Sequence, residues 1–306
     1  MALEFLAALF GPRLKLPADQ VTRIPGRAKK VAGPHAAAIQ ATLDKISGLP
    51  GIADVKDGKR LPRGTAALVK ELLHHVDAYH EALREMMAIG PEIRRSGEKG
   101  GTNGCLPAPL GVSTIEALHI YRTIRTWPDF PDIAKKLAAL GEQQFKDIQA
   151  AVPGAGDKVR VGGKAVQQAR VQFAQRLMPC AFLDGSTQRC RIWDQRPIVC
   201  RMHHLADPPG GVRPDDPAWP KNVKAKNLRL PVRAQVTVSQ LDKRMNLELS
   251  PFLYAAVLQL LQIAEGHQIN EAGEAPTRMQ QDGAVARPAN RNVAHAKKFQ
   301  KKKKKK

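Results

Sequence analysis

Cys180, Cys190 and Cys200 fall close together at the spacing C-x9-C-x9-C, and the fourth cysteine, Cys105, closes a glycine-rich run from Gly97 to Gly104. Four thiolates can close one tetrahedral site, and soft sulfur suits zinc or iron. A metal would also tie down a turn-rich segment that has little secondary structure of its own. Spacing alone does not select this chemistry. Zinc knuckles present C-x2-C pairs, because two thiolates then chelate from one tight turn. The residues by themselves leave three readings open: metal ligation, buried structural thiols, and a disulfide or catalytic thiol. Cys200 has His203 nearby as a base, yet no further feature supports a nucleophile. His203 and His204 follow Cys200 closely enough for one of them to share a metal site. Asp194, Arg196 and Arg201 can support the thiolates by hydrogen bonds or charge. Alternatively, Asp194 and Arg196 form a local ion pair while Pro197 sets a turn.

The residues between the cysteines add to this. Pro179-Cys180-Ala-Phe182-Leu183 is followed by Cys190-Arg-Ile192-Trp193 and then by Arg196-Pro197-Ile-Val-Cys200-Arg201. This resembles the YkgJ-like cysteine-cluster (CxxCxxCC) family of zinc- or iron-chelating domain proteins, with Trp193 standing for the family's Tyr. Val112-Ser-Thr-Ile-Glu116-Ala resembles that family's helix start after its first cysteine cluster. The resemblance extends over about residues 100–265. It implies a zinc or iron centre, iron–sulfur included, at one site, with Cys105, Cys180, Cys190, Cys200 and His203 as ligands. Asp194, Arg196 and Arg201 would stand behind them. The family's dense opening cluster is reduced here to Cys105 alone. Three outcomes are compatible with that: a single metal, a histidine filling the gap, or a fold that has kept its shape and lost its metal.

The expected fold class is mainly α, with helices around an irregular cysteine-bearing centre and a small hairpin near 228–238, where Val232, Val236 and Val238 give weak strand character. The strongest helix covers Thr65 to Ile89, where Leu68, Leu72, Val76, Tyr79, Leu83 and Met86 recur at three- and four-residue steps. His74, His75 and His80 on it read as surface or core-edge residues. Further helices are expected over His35–Ser47, Ser113–Thr126, Asp132–Val152, Gly163–Leu177 and from Ser250 to near Gly266. Ser113 and Glu116 form a capping-box pattern. Ser250-Pro251 supplies a cap followed by proline at the first helical position. Met1–Phe10 reads as a short amphipathic helix. The domains expected are a Pro/Gly-broken segment 1–63, a helical cysteine-cluster domain 64–268 and a disordered basic tail 269–306.

Composition sets the remaining limits. The chain has 306 residues, 49 Lys and Arg against 28 Asp and Glu, and a net charge of +21. With 43% hydrophobic residues it can bury a core, and with 4 Cys it is too sparse for a disulfide scaffold. Aromatic residues at 5% do not supply a stacking platform for single strands. No apolar run reaches the roughly 20 residues of a membrane span, so a cytoplasmic protein with reduced thiols is expected. Ten of the 21 excess charges lie beyond residue 286, among them Lys297, Lys298, Lys301, Lys302, Lys303, Lys304, Lys305 and Lys306. Such a tail can bind RNA or DNA without sequence preference. Nucleic-acid association through the tail and a redox or transferase reaction at the cluster are therefore the alternatives to plain metal binding. No protein partner is indicated.

Overall fold

The computed structural model describes residues 22–55, 60–89, 93–95, 105, 111–151, 168–169, 172–173, 176, 178–187, 189–206, 225–263 and 270–272. The N-terminal helix expected at 1–10, the glycine-rich loop 97–104, the proline-rich loop 207–222 and the basic tail lie outside these. The described part is mainly α. Its helices are α1 (Gly26–Val31), α2 (Gly33–Ser47), α3 (Thr65–Met86), α4 (Thr114–Ile124), α5 (Phe130–Ala151), α6 (Ile198–Arg201), α7 (Val232–Met245) and α8 (Leu253–Ile263). Five short strands accompany them: β1 (Arg60–Leu61), β2 (Ile93–Arg95), β3 (His203–Ala206), β4 (Ala225–Asn227) and β5 (Asn270–Glu271). β2, β3 and β4 make an antiparallel sheet in that order, and β1 pairs with β5 in parallel. Of the helix expected at 163–177, the described residues 168–169 and 172–173 are helical.

Two apolar clusters organise the helices. In the first, Ile39 and Leu43 of α2 meet Val69, Leu72, Val76 and Leu83 of α3, with Leu241 and Met245 of α7 closing one side. The second gathers Ile120 and Ile124 of α4, Ile133 and Leu137 of α5, and Leu253, Tyr254 and Val257 of α8 around Phe182, Ile192 and Cys200. α4 and α8 serve both clusters, which is why they are buried nearly all round rather than along one stripe. Gly141 lets α5 and α8 close up. A Cβ there would stand 2.9 Å from Leu258 Cδ2 and 3.1 Å from the Tyr254 carbonyl oxygen.

The sequence reading is corrected at two places. Residues 232–245 form a helix, not one arm of a hairpin. The valines misled because Val232 and Val236 are solvent-exposed. The residues that pack, Ala234, Val238, Leu241 and Met245, follow a four-three-four step, and Pro231 opens the helix. The antiparallel pairing lies just upstream, where β4 joins β3. Second, His80 is fully buried rather than at the edge of the core. Its Nε2 lies 2.7 Å from Nε2 of His204, with the rings stacked 12° from parallel.

α7 also completes the start of α4. Asp242 Oδ1 accepts the Thr114 amide at 2.8 Å, satisfying a helix N-terminal donor from another element. Burial, with the Glu116 charge beside it, pushes the Asp242 carboxyl up to about 7. An unfolded Asp titrates near 3.9. The native state therefore holds this proton after the unfolded chain has released it. The resulting stability is full below about pH 4 and is lost as pH climbs towards 7. Asp242→Asn keeps the acceptor and removes the charge. It is expected to raise stability by about 2 kcal/mol near pH 8 and to change little near pH 4, read by urea unfolding at both. The same difference at both pH values would show that charge is not the cause.

Candidate metal centre

The cysteine-bearing segment is built from tight turns. Cys180 O accepts the Leu183 amide at 3.0 Å. Phe182 O accepts the Arg191 amide at 2.8 Å, Arg189 O accepts the Asp184 amide at 2.9 Å, and Leu183 bridges to Cys190 in antiparallel fashion. At the tip, Asp184 Oδ1 accepts the Ser186 and Thr187 amides, both at 2.8 Å, and the Ser186 hydroxyl at 2.6 Å. Those donors hold its carboxyl well below the usual carboxylate range. The local hairpin thus carries Cys180 and Cys190 side by side. Phe182, fully buried between them, anchors it in the second cluster.

Cys200 arrives by a separate device. A 3-10 turn at Trp193–Gln195 leads to Pro197, extended at φ −54° and ψ 150°, which opens α6. The first amide of α6, Ile198 N, donates to Glu116 Oε1 at 2.6 Å. The other oxygen of Glu116 accepts its own N-cap, from Ser113 N at 2.9 Å and Ser113 Oγ at 2.5 Å. One buried carboxylate therefore closes a capping box at α4 and caps α6 as well. The sequence reading found the box but not this second bond.

Arg191 and Arg201 fix the segment to its surroundings, and Arg196 braces it from within. Arg191 forks onto Asp129 (2.5 and 2.9 Å) and lies over the Trp127 ring at 4.1 Å. Arg196, 2% exposed, lies over the Trp193 ring and donates from Nε to Trp193 O at 3.0 Å. Arg201 donates to the Asp77 carboxylate on α3, to Asp194 O, and from Nε to Arg196 O at 2.9 Å. Asp194 thus serves Arg201 through its backbone.

Three of the four thiols share one apolar cluster. Cys180, Cys190 and Cys200 pack in the second apolar cluster. Cys105 lies near enough that all three, after burial, raise its pKa. Burial and the Cys180 thiol push Cys190 up to about 12. Burial, then Cys180 and Cys190, push Cys200 higher still. The opposing charge is Arg196, which lowers the pKa of Cys105, Cys190 and Cys200. Arg201 adds to it at Cys190. All four cysteines are free thiols. His203, on β3, is buried, and burial followed by His204 lowers its pKa to about 3. Tyr254 of α8, absent from the sequence reading, places a buried hydroxyl beside Cys180.

A soft cation fits the chemistry of this donor set. Three thiols, Cys180, Cys190 and Cys200, pack in one apolar cluster with the Arg196 guanidinium near enough to act on the charge of Cys190 and Cys200, and the buried Tyr254 hydroxyl completes no hydrogen bond to a protein group. Sulfurs around a tetrahedral zinc stand about 3.8 Å apart. Among the described residues no group of three or more His, Cys, Asp and Glu side chains is already so arranged as to hold a metal. Ligation thus requires the thiols to close in.

Residues 131–225 match the model of the CxxCxxCC family, described as "Putative zinc- or iron-chelating domain". The match takes in Cys180, Cys190 and Cys200 with the residues between them, and leaves Cys105 and Glu116 outside. It covers the middle of the 100–265 stretch drawn from the sequence. No curated protein and no solved structure matches the chain. No helix among the described residues is long and apolar enough to cross a membrane.

Proposed function

We propose that this is a metal-binding protein holding one zinc or iron ion on Cys105, Cys180, Cys190 and Cys200. The observation that carries the reading is the family match over the segment whose three thiols, Cys180, Cys190 and Cys200, pack in one apolar cluster; Cys105 is assigned as the fourth ligand from the sequence. Four sulfurs complete a tetrahedral set by themselves, so His203 is assigned to the packing under β3. A bound divalent cation supplies the positive charge that turns four neutral thiols into thiolates. The protein's own part is to bring the sulfurs together. The hairpin carries two, Glu116 places the Cys200 helix, and Arg196 offsets their charge. Asp194 and Arg201 hold the turn between Cys190 and Cys200.

Metal analysis of the full chain, purified anaerobically beside Cys190→Ser, tests this. The wild type is expected to carry close to one equivalent of zinc or iron, and the variant to lose most of it. A wild type without metal sinks the proposal. The nucleic-acid reading rests on tail residues outside those described, and no observation at the cluster favours a redox or transferase reaction.

A further inference from the structure

Two stretches of the chain that carry cations and no acid meet at one place. From residue 22 to 43, and from 225 to 241, the sequence has no Asp or Glu. The Thr22 amide donates to Asn227 O at 2.9 Å, and the Asn227 amide donates to Thr22 Oγ1 at 3.1 Å. These bonds join the end of β4 to the segment that leads into α1. Arg23, Arg27, Lys29 and Lys30 follow on one side of the join, Arg229 and Arg233 on the other, and all of them are exposed. Packing sets that outward direction. Leu228 and Leu230 are buried in the first cluster, which leaves Arg229 between them to face water. Ala28 and Ala32 are buried there too, so Arg27, Lys29 and Lys30 lie on the open side of α1. Gln235 Nε2 donates to Leu230 O at 2.6 Å and holds the turn into α7.

Among the described residues, none of these cations forms an ion pair. Their fields add, and a patch of one sign draws a polyanion. The second feature of the surface is apolar. Val31, Val232 and Val236 are 48%, 76% and 49% exposed, and no other large hydrophobic side chain among the described residues is exposed. All three lie on α1 and α7, the helices that carry the cations. Val232 and Val236 are four residues apart, so they share one side of α7. Neither stretch contains Phe, Tyr or Trp to stack a base. A nucleic acid would use the charges and leave the valines in water. The headgroup layer of a membrane uses both, because cations meet lipid phosphates while apolar side chains sink towards the acyl boundary.

We propose that the surface around the Thr22–Asn227 join docks on anionic phospholipid, holding the protein against a membrane face without spanning it. The cations of α1 and α7 meet the headgroups, and Val232 and Val236 enter the interface. The metal reading does not bear on this. The lysine-rich tail adds attraction of the same sign, so the test separates the two.

Co-sedimentation of the full chain with phosphatidylcholine vesicles, with and without phosphatidylglycerol, reads the binding. The wild type is expected to bind the anionic vesicles only, and less tightly as salt rises. Arg27→Gln and Arg233→Gln should each weaken binding about fivefold, and together about thirtyfold. Val232→Ser should weaken it about fivefold. Urea unfolding of these variants should match wild type, because all three side chains are exposed. With Gln substituted for Lys301 to Lys306 in the full chain, the same losses should persist. A wild type that ignores anionic vesicles overturns the proposal, and so does a loss seen only when the tail is changed. A poly(U) strand decides the other way. If the two arginine changes weaken its binding as much as that of vesicles, and Val232→Ser alters neither, the surface recognises charge alone and lipid docking is overturned.

Discussion

Arg201→Ala is expected to cost about 4 kcal/mol of folding stability, the largest effect of any single substitution in the cysteine-bearing segment. The side chain is 3% exposed and its guanidinium serves three acceptors on two elements. Two of these are backbone carbonyls, Asp194 O and Arg196 O, in the turn that delivers Cys200. Truncation removes the donor from both; at the buried Arg196 the loss costs about 1–3 kcal/mol, while at the exposed Asp194 water offsets part of it. The third acceptor is Asp77 on α3, 36% exposed. Water takes over part of its solvation, so the ion pair itself is the smaller share. Arg201→Lys keeps the charge but cannot fork across three acceptors, and should recover no more than half of the loss. Asp77→Ala alone should cost about 1–2 kcal/mol. Urea unfolding of the four proteins in a double-mutant cycle reads the coupling directly. If Arg201→Ala costs no more than Asp77→Ala, the carbonyl bonds are not what holds the turn.

How far the sequence foretold these contacts follows from their range. The helices α2, α3, α4, α5 and α8 were legible because apolar periodicity and caps are local signals. The residue types between Cys180 and Cys200 were legible for the same reason, and the family match falls on them. α7 was misread because three valines outweighed a helical spacing of buried residues, a case of strand propensity yielding to tertiary packing. The His80–His204 pair spans 124 positions and joins a helix to a strand. Nothing in either neighbourhood signals it. Tyr254 hid inside an apolar run, where its hydroxyl was the only cue. The sequence also singled out Arg196 and Arg201 without showing their partners, and passed over Arg191. A guanidinium that donates to backbone carbonyls leaves no trace in residue type at the accepting positions.

Glu116 is where local and distant signals meet, and substituting it should separate them. Glu116→Ala removes the acceptor of Ser113 N, Ser113 Oγ and Ile198 N together. The capping box is worth about 1 kcal/mol. The part-buried Ile198 amide, left without this acceptor, adds about 1–2 kcal/mol. The total expected is about 3 kcal/mol, second only to Arg201→Ala. Glu116→Gln offers one carbonyl oxygen where the carboxylate offered two, so it can satisfy α6 or the box but not both. It should lose about half as much. Hydrogen exchange distinguishes the two bonds in a way stability alone does not. In Glu116→Ala the Ile198 amide should lose its protection, whereas the Asp242-bonded amide of Thr114 keeps its own partner. If Ile198 stays protected in Glu116→Ala, the carboxylate caps α4 only, and the start of α6 is held by Pro197 and the Arg201 bonds instead. If protection is lost, the helix carrying Cys200 is positioned from 82 residues away in sequence. The metal affinity of Glu116→Ala should then fall with it, because one of four sulfurs no longer has a fixed place.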